Sequence, residues 1–399
     1  MADLYRNEVI DPGDAVSKLA CQINFESHGN CGAIDMIPRQ PGNFRGAVDI
    51  VPKPHILKMM MDGTVSINGG CDGAGGKPQF FTLVGTPEAF GDLPWEIITM
   101  TADDRVRFGG FPCALLNIMD IKRVTSKNFH LVEALLQGFG RALKESLLTS
   151  WSGETAVMKH SVTAFCETDP EEQLILNWGA TCLGLTHRDR VIDGLKIKPG
   201  MPIVGFWEEG MRCNGGTLHT NLMILHFGPD PRDIVNNPKA IEYAKKLTVP
   251  SHSYARTVSR VHGWNTDGSV SDPIVRIAGI AHITGGGVWG KFGELLPEGV
   301  GANLYAMPYP AQVLLDAQKM SQGTPYELSD WKAYSTFHGG CGMLAVVEDQ
   351  NSAERLIAEA MADGINTMVV GRTTQSPDKE IVIQSRFREG KSLSSLHPE

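Results

Sequence analysis

The sequence predicts an α/β protein of two domains with mixed sheets, and three observations carry that prediction. Short β-favouring runs alternate with amphipathic helical stretches, the pattern of a layered α/β fold. The 399 residues, 42% of them hydrophobic, exceed the ~250–300 at which single cores stop growing. Glycine clusters recur where a strand-like run gives way to a helix, a junction at which bare backbone can approach an anion.

Composition narrows the class further. A net charge of -9 argues against nucleic acid as a partner. Eight cysteines without a CxxC pair read as reduced thiols of a cytoplasmic protein. The start M-A-D-L-Y-R-N-E lacks the basic and apolar regions of a signal peptide. No apolar run approaches the ~20 residues that cross a bilayer, so no membrane partner is expected. The twelve histidines show no metal-ligand spacing, and His219 and His226 read as packing or surface residues.

Taken in order, Asp11 to Asn24 predicts a helix with Asp14 as N-cap and Val16, Leu19, Ala20 and Ile23 on one face. His28 to Gly46 reads as loop. The chain is organised around the stretch Thr64 to Lys77, T-V-S-I-N-G-G-C-D-G-A-G-G-K. Its bare backbone at Gly73, Gly75 and Gly76 can form an anion-binding concavity. Asp72 suits a hard cation such as Mg²⁺, and Lys77 suits phosphate. The alternative is a flexible hairpin with an incidental Asp and Lys. A Walker loop is excluded, because no Ser or Thr follows Lys77.

Leu93 to Arg107 predicts a helix stopped by Gly109 and Gly110, with Asp103 and Asp104 near its C-terminal end. Two carboxylates there oppose the helix dipole. They are either a solvated pair or the source of a second metal carboxylate beside Asp72. A buried strand (Cys113 to Ile121), a long helix (Leu131 to Leu148), a polar turn holding Glu154 and a strand from Gln173 to Leu185 come next. The domain boundary is placed near Gly194, giving domains 1–194 and 195–399.

A strand from Met201 to Phe206 opens the second domain, ahead of G-M-R-C-N-G-G and a helix from Thr217 to His226. The junction recurs at A-H-I-T-G-G-G, where an apolar strand ends in His282, Thr284 and Gly285 to Gly287. The alternative is an ordinary strand-to-helix turn, but such a turn rarely needs three glycines, so a phosphate cradle is expected there. Strands are expected at Leu344–Val347, Val369–Val370 and Ile381–Ile383, with a capping box at Asn351 and Glu354 starting a helix that ends at Gly364.

Together these motifs resemble the aminoimidazole ribonucleotide synthetase, or phosphoribosylformylglycinamidine cyclo-ligase, family. C-D-G-A-G-G-K at 71–77 is similar to that family's T-D-G-V-G-T-K, and M-T-A-D-D at 100–104 to its M-x-x-N-D. S-G-E-T-A at 152–156, C-N-G at 213–215, A-H-I-T-G-G-G at 281–287 and T-F-H-G-G-C-G-M at 336–343 come in the family's order.

The resemblance implies a homodimer joined through the N-terminal sheet, ATP with Mg²⁺, and a ribonucleotide substrate. ATP would activate the formyl oxygen of formylglycinamidine ribonucleotide so that an amidine nitrogen closes the imidazole ring. It also implies catalytic roles for Asp72, Lys77, Asp104, Glu154 and His282, with Asp72 and Asp104 on the metal. Nucleotide contacts would come from Gly73, Gly75, Gly76, Arg212, Asn214, Thr284, Gly285, Gly286 and Gly287.

The sequence departs from the family in its reduced N-terminal glycine loop and in Arg212, which stands where a histidine is usual. These departures leave two alternatives: another ATP-dependent kinase, synthetase or dehydratase of the same superfamily, and a catalytically silent nucleotide-binding subunit.

Overall fold

A computed structural model describes residues 12–40, 47–388 and 390–398. The first half runs α1 (Pro12–Glu26), β1 (Ile34–Pro38), β2 (Val48–Pro52), α2 (Pro54–Met61), β3 (Val65–Gly73), α3 (Pro78–Val84), α4 (Pro87–Asp92), α5 (Pro94–Val106), β4 (Phe111–Ile121), α6 (Phe129–Glu145), β5 (Thr149–Val157) and β6 (Leu176–His187). The second half runs β7 (Pro202–Trp207), α7 (Gly216–Phe227), α8 (Pro231–Val235), α9 (Pro238–Leu247), α10 (Ala255–Val261), β8 (Ile277–His282), α11 (Gly287–Leu295), β9 (Val300–Leu304), α12 (Gln312–Ser321), α13 (Asp330–Thr336), β10 (Cys341–Val347), α14 (Gln350–Ala362), β11 (Thr367–Gln375), β12 (Ile381–Gln384) and β13 (Ser392–Ser394).

The strands form mixed sheets, as the alternating pattern predicts. The N-terminal sheet has the order β3-β6-β4-β5, with β4 and β5 parallel and the other pairs antiparallel. The C-terminal sheet has the order β13-β12-β9-β11-β7-β10-β8, and its one parallel pair is β9 with β12. Residue 194 lies between the two sheets, yet one hydrophobic cluster runs from Ile97, Leu115 and Trp178 to Phe206, Tyr254 and Met343.

Helix α5 stands at the centre of that cluster. Ile97, Ile98, Ala102 and Val106 are buried, and so are Glu96, Thr99 and Thr101 on its other sides. A helix buried all round must satisfy its polar side chains internally. That requirement governs where several of the expected site residues turn.

Four local expectations are corrected. The stretch His28 to Gly46, expected as loop, contains β1, which pairs antiparallel with β2 and was missed because prolines and glycines crowd it; residues 41–46 lie outside the described residues. The first helix begins at Pro12, so Asp14 lies in its first turn rather than at the cap, and Asp11 falls outside the described residues. Helix α14 is capped by Asp349, which accepts from the Ser352 N–H, rather than by Asn351. Glu154 lies within β5, not in a turn.

Two buried histidines give the fold a defined acid sensitivity. Burial pushes His219 from 6.5 down to about 3 and His338 down to about 4. The Gly340 N–H donates to His338 Nδ1 and His338 Nε2 donates to the Gly210 carbonyl, a pattern only the neutral ring can make.

Below pH 6.5 the unfolded chain takes up protons that the folded chain refuses. Stability is therefore lost as pH falls through that window, at about 1.4 kcal/mol per pH unit for each ring. Melting temperatures are expected to drop steeply between pH 6.5 and 4.5, and His219→Phe should shallow the slope. An unchanged slope in that variant would show that His219 does not contribute.

Candidate active site

The three glycine-rich loops meet. A Cβ built on Gly75 would stand 3.0 Å from the Cys213 carbonyl oxygen, and one on Gly216 would stand 3.3 Å from the Gly76 Cα. A Cβ on Gly285 would stand 3.9 Å from Asn214 Oδ1. The loop after β3 therefore touches the loop before α7, which in turn touches the loop before α11.

Both helices start from a glycine N-cap in the left-handed region, Gly215 at φ 81° and Gly286 at φ 93°, with no side-chain cap on the first N–H groups. Each helix thus presents first-turn donors and the positive end of its dipole toward this junction, though the Gly287 N–H is given to the Thr284 carbonyl at 3.0 Å. Gly75, Gly76, Asn214, Thr284, Gly285 and Gly286 lie on these three loops, with Gly73 ending β3 and Gly287 opening α11 at their edges.

Two carboxylates stand beside them. Asp72 is opposite Ala180 in the β3–β6 register, on the face that α5 covers, and Asp104 ends α5. Burial raises the Asp72 carboxyl; its own Gly73 N–H pulls it back, and the Asp104 charge raises it again. Burial also works to raise Asp104, but a hydrogen bond and charge from His282, with Arg107 and Arg105 behind, hold it below the usual range.

The Gly73 N–H and the Lys291 charge only partly offset what burial and Asp104 impose on Asp72, which fits a site for a divalent cation. Among the described residues no group of three or more His, Cys, Asp or Glu is placed to hold a metal unaided. Such an ion would complete its shell with phosphate oxygens and water, as Mg²⁺ commonly does.

Lys291, one turn into α11, acts electrostatically on Asp72 and was missed by sequence reasoning. Its signal was present: it lies four residues after Gly287, on the helix that the triple glycine opens.

Three expected site residues go elsewhere. Lys77 is fully buried, with Nζ 2.7 Å from Glu96 Oε1 and 2.8 Å from the Val249 carbonyl, so its ammonium reaches no cleft. Arg212 is also fully buried, at φ 56°, and does not contact a ligand surface. Its Nη1 donates to Glu208 Oε2 (2.7 Å) and the His252 carbonyl (3.2 Å). Its Nη2 bonds to Asp103 Oδ2 (3.2 Å) and His282 Nε2 (2.7 Å).

Glu154 sits opposite Ile118, Ile118 opposite Gly179 and Gly179 opposite Gly73, so Glu154 belongs to the sheet face away from Asp72. That open face carries a cavity of about 790 Å³ lined by Ile118, Asp120 and Glu154, and the same cavity reaches Asp72, Gly73 and Gly75 at the end of β3. His282 is the exception: its Nδ1 lies 2.8 Å from Asp104 Oδ1, which ties it to the carboxylate pair from behind.

Residues 270–384 match the family described as AIR synthase related protein, C-terminal domain. Over 376 residues the chain is 23% identical to a phosphoribosylformylglycinamidine cyclo-ligase of Methanococcus maripaludis strain C7, covering 94% of this chain and 90% of that protein. Over 309 residues it is 26% identical to the enzyme of the same name from Sorangium cellulosum, covering 77% and 80%.

Among solved structures it resembles the hydrogenase maturation protein HypE in complex with ATP, at TM-score 0.53 and 14% identity over 90% of this chain and 91% of that one. It also resembles a thiamine-monophosphate kinase from Stenotrophomonas maltophilia, at TM-score 0.51 and 12% identity over 86% and 89%. Fold, loop order and relatives agree: over most of its length the chain is similar to phosphoribosylformylglycinamidine cyclo-ligases, and residues 270–384 match the C-terminal domain of AIR synthase related proteins.

Proposed function

We propose that this protein is an ATP-dependent ligase that converts formylglycinamidine ribonucleotide to aminoimidazole ribonucleotide, with release of ADP and phosphate. One observation carries the reading: two uncapped helix starts and the Asp72–Asp104 pair converge on a single junction. Phosphoryl transfer asks mainly for positioning and charge neutralisation, and this junction supplies both. The α7 and α11 N–H groups would hold the polyphosphate, and Asp72 and Asp104 would hold Mg²⁺. The ion supplies charge neutralisation of the transferring phosphoryl group.

A second reading, phosphorylation of a different small molecule, draws on Arg212, whose burial removes a charged side chain from the substrate side. Incubation with ATP, Mg²⁺ and formylglycinamidine ribonucleotide separates the two. Aminoimidazole product supports the first, and ADP release only with another acceptor supports the second. Nucleotide binding without turnover on any acceptor would point to a regulatory subunit.

Gly286 tests the cradle. A Cβ there meets only the Gly290 Cα, at 3.6 Å, so the fold has room, but φ 93° is strained for a β-branched residue and the new side chain would face the phosphates. Gly286→Val should keep its circular dichroism spectrum and lose about tenfold or more in ATP affinity, the equivalent of one missing charge-assisted hydrogen bond. Gly287→Ala, whose Cβ would collide with the Tyr334 carbonyl oxygen, should instead lose stability.

The open face of the N-terminal sheet supports a homodimer. Ile118 is 58% and Ile67 55% exposed, an apolar exposure that a monomer would not normally leave uncovered. Light scattering at low micromolar concentration should give the mass of two chains, and Ile118→Glu should give one. A monomeric wild type would end this part of the reading.

A further inference from the structure

The guanidinium of Arg212 uses four of its five N–H donors. Nη1 serves Glu208 and the His252 carbonyl, and Nη2 serves Asp103 and His282, while Nε has no partner. Glycine at 342 makes room for this arrangement, since a Cβ there would stand 2.6 Å from Arg212 Nη1 and 2.5 Å from the Tyr254 hydroxyl.

An arginine has donors only and keeps its charge, so the atom it faces on His282 must be a lone pair. His282 Nε2, 2.7 Å away, is therefore the acceptor. The single ring proton must then sit on Nδ1, which points at Asp104 Oδ1 at 2.8 Å.

We propose that Arg212 is a positioning residue: it locks His282 in the Nδ1–H form and so pins Asp104 Oδ1, leaving the rest of that carboxylate to face the cleft. His282, expected to be catalytic, then moves no proton and works only as a rigid link. Neighbouring carboxylates divide the labour. Asp103 turns inward and holds Arg212, accepting also from the Tyr254 N–H at 2.9 Å, while the Asp104 side chain stays 24% exposed and also meets Arg107 Nε at 3.3 Å. The arrangement resembles the way a second partner fixes the tautomer of a metal-site histidine, with the order of the groups changed. The link to catalysis rests on the proposed role of Asp104 in the cleft; the tautomer lock does not.

Ring-¹⁵N-histidine labelling of the full chain tests the lock by long-range proton–nitrogen correlation. His282→Gln, or His282→Asn if that variant fails to fold, assigns the signal by its disappearance. Wild-type protein should show one neutral tautomer with the proton on Nδ1, and Asp104→Ala should show the same tautomer, because Arg212 remains. A proton on Nε2 in the wild type would overturn the proposal. So would a switch to Nε2–H in Asp104→Ala, since Asp104 rather than Arg212 would then be setting the ring. Neither measurement uses nucleotide, so an intact lock in a protein that fails the turnover assay would count against the proposed function alone.

Discussion

Replacing Lys77 by methionine should destabilise the protein by about 3–5 kcal/mol, the usual consequence of leaving one partner of a buried ion pair uncompensated. Lys77 and Glu96 are both fully buried. Besides Lys77, Glu96 accepts from the Ser251 N–H at 3.0 Å, the Ser251 hydroxyl at 2.6 Å and the Cys213 thiol at 3.3 Å. Removing the ammonium leaves a carboxylate in the interior with only neutral donors. Against a total stability of about 5–15 kcal/mol, the loss is severe. Thermal and urea melts measure it directly. Lys77→Met/Glu96→Gln should recover part of the deficit, because the stranded charge is gone. Were Lys77 a phosphate ligand instead, the single variant would keep its melting temperature and lose ATP affinity.

Asp72→Asn should separate activity from stability in the opposite sense. If Asp72 holds the cation, turnover should fall by about 10²-fold or more, the size of effect seen when one electrostatic partner of a transition state is removed. The Mg²⁺ concentration needed for half-maximal rate should rise, while ATP binding falls by less. The same change should leave the melting temperature level or higher. Burial and the Asp104 charge both disfavour ionised Asp72 in the folded chain, so neutralising it relieves a cost. Wild-type turnover with an unshifted Mg²⁺ titration would sink the metal assignment, leaving the loop as a turn.

The alternation of strands and helices was readable from residue pattern, and the elements it placed start within a few residues of the observed ones, but the short helices α2–α4 and α8–α10, with α12, α13, β9 and β13, were not read. The glycine loops were readable for a local reason: φ at Gly75, Gly215 and Gly286 is positive, so the backbone itself demands glycine. What pattern could not supply was direction. Lys77 comes two residues after Gly75, and nothing nearby says that its side chain turns toward Glu96, nineteen residues on. Arg212 meets Asp103 across 109 positions and His282 across 70, and only packing reveals that its charge is spent inside. Glu154 needed the β4–β5 register, which shows a shift between Leu115 and Leu116, before its face could be assigned. A residue's type can be read locally, but its partner is a property of the closed chain.

The polar bonds around α5 also bear on how the chain can be divided. A fragment starting at Leu195 would carry Glu208 and Arg212 without Asp103, and Val249 and Ser251 without Lys77 and Glu96. It would also bare Phe206, Tyr254 and Met343, which share a cluster with Ile97 and Leu115. The two sheets differ in sequence and topology, yet neither half closes its own interior. They should therefore melt as one cooperative unit, and a boundary near residue 194 marks a change of sheet rather than a place to cut.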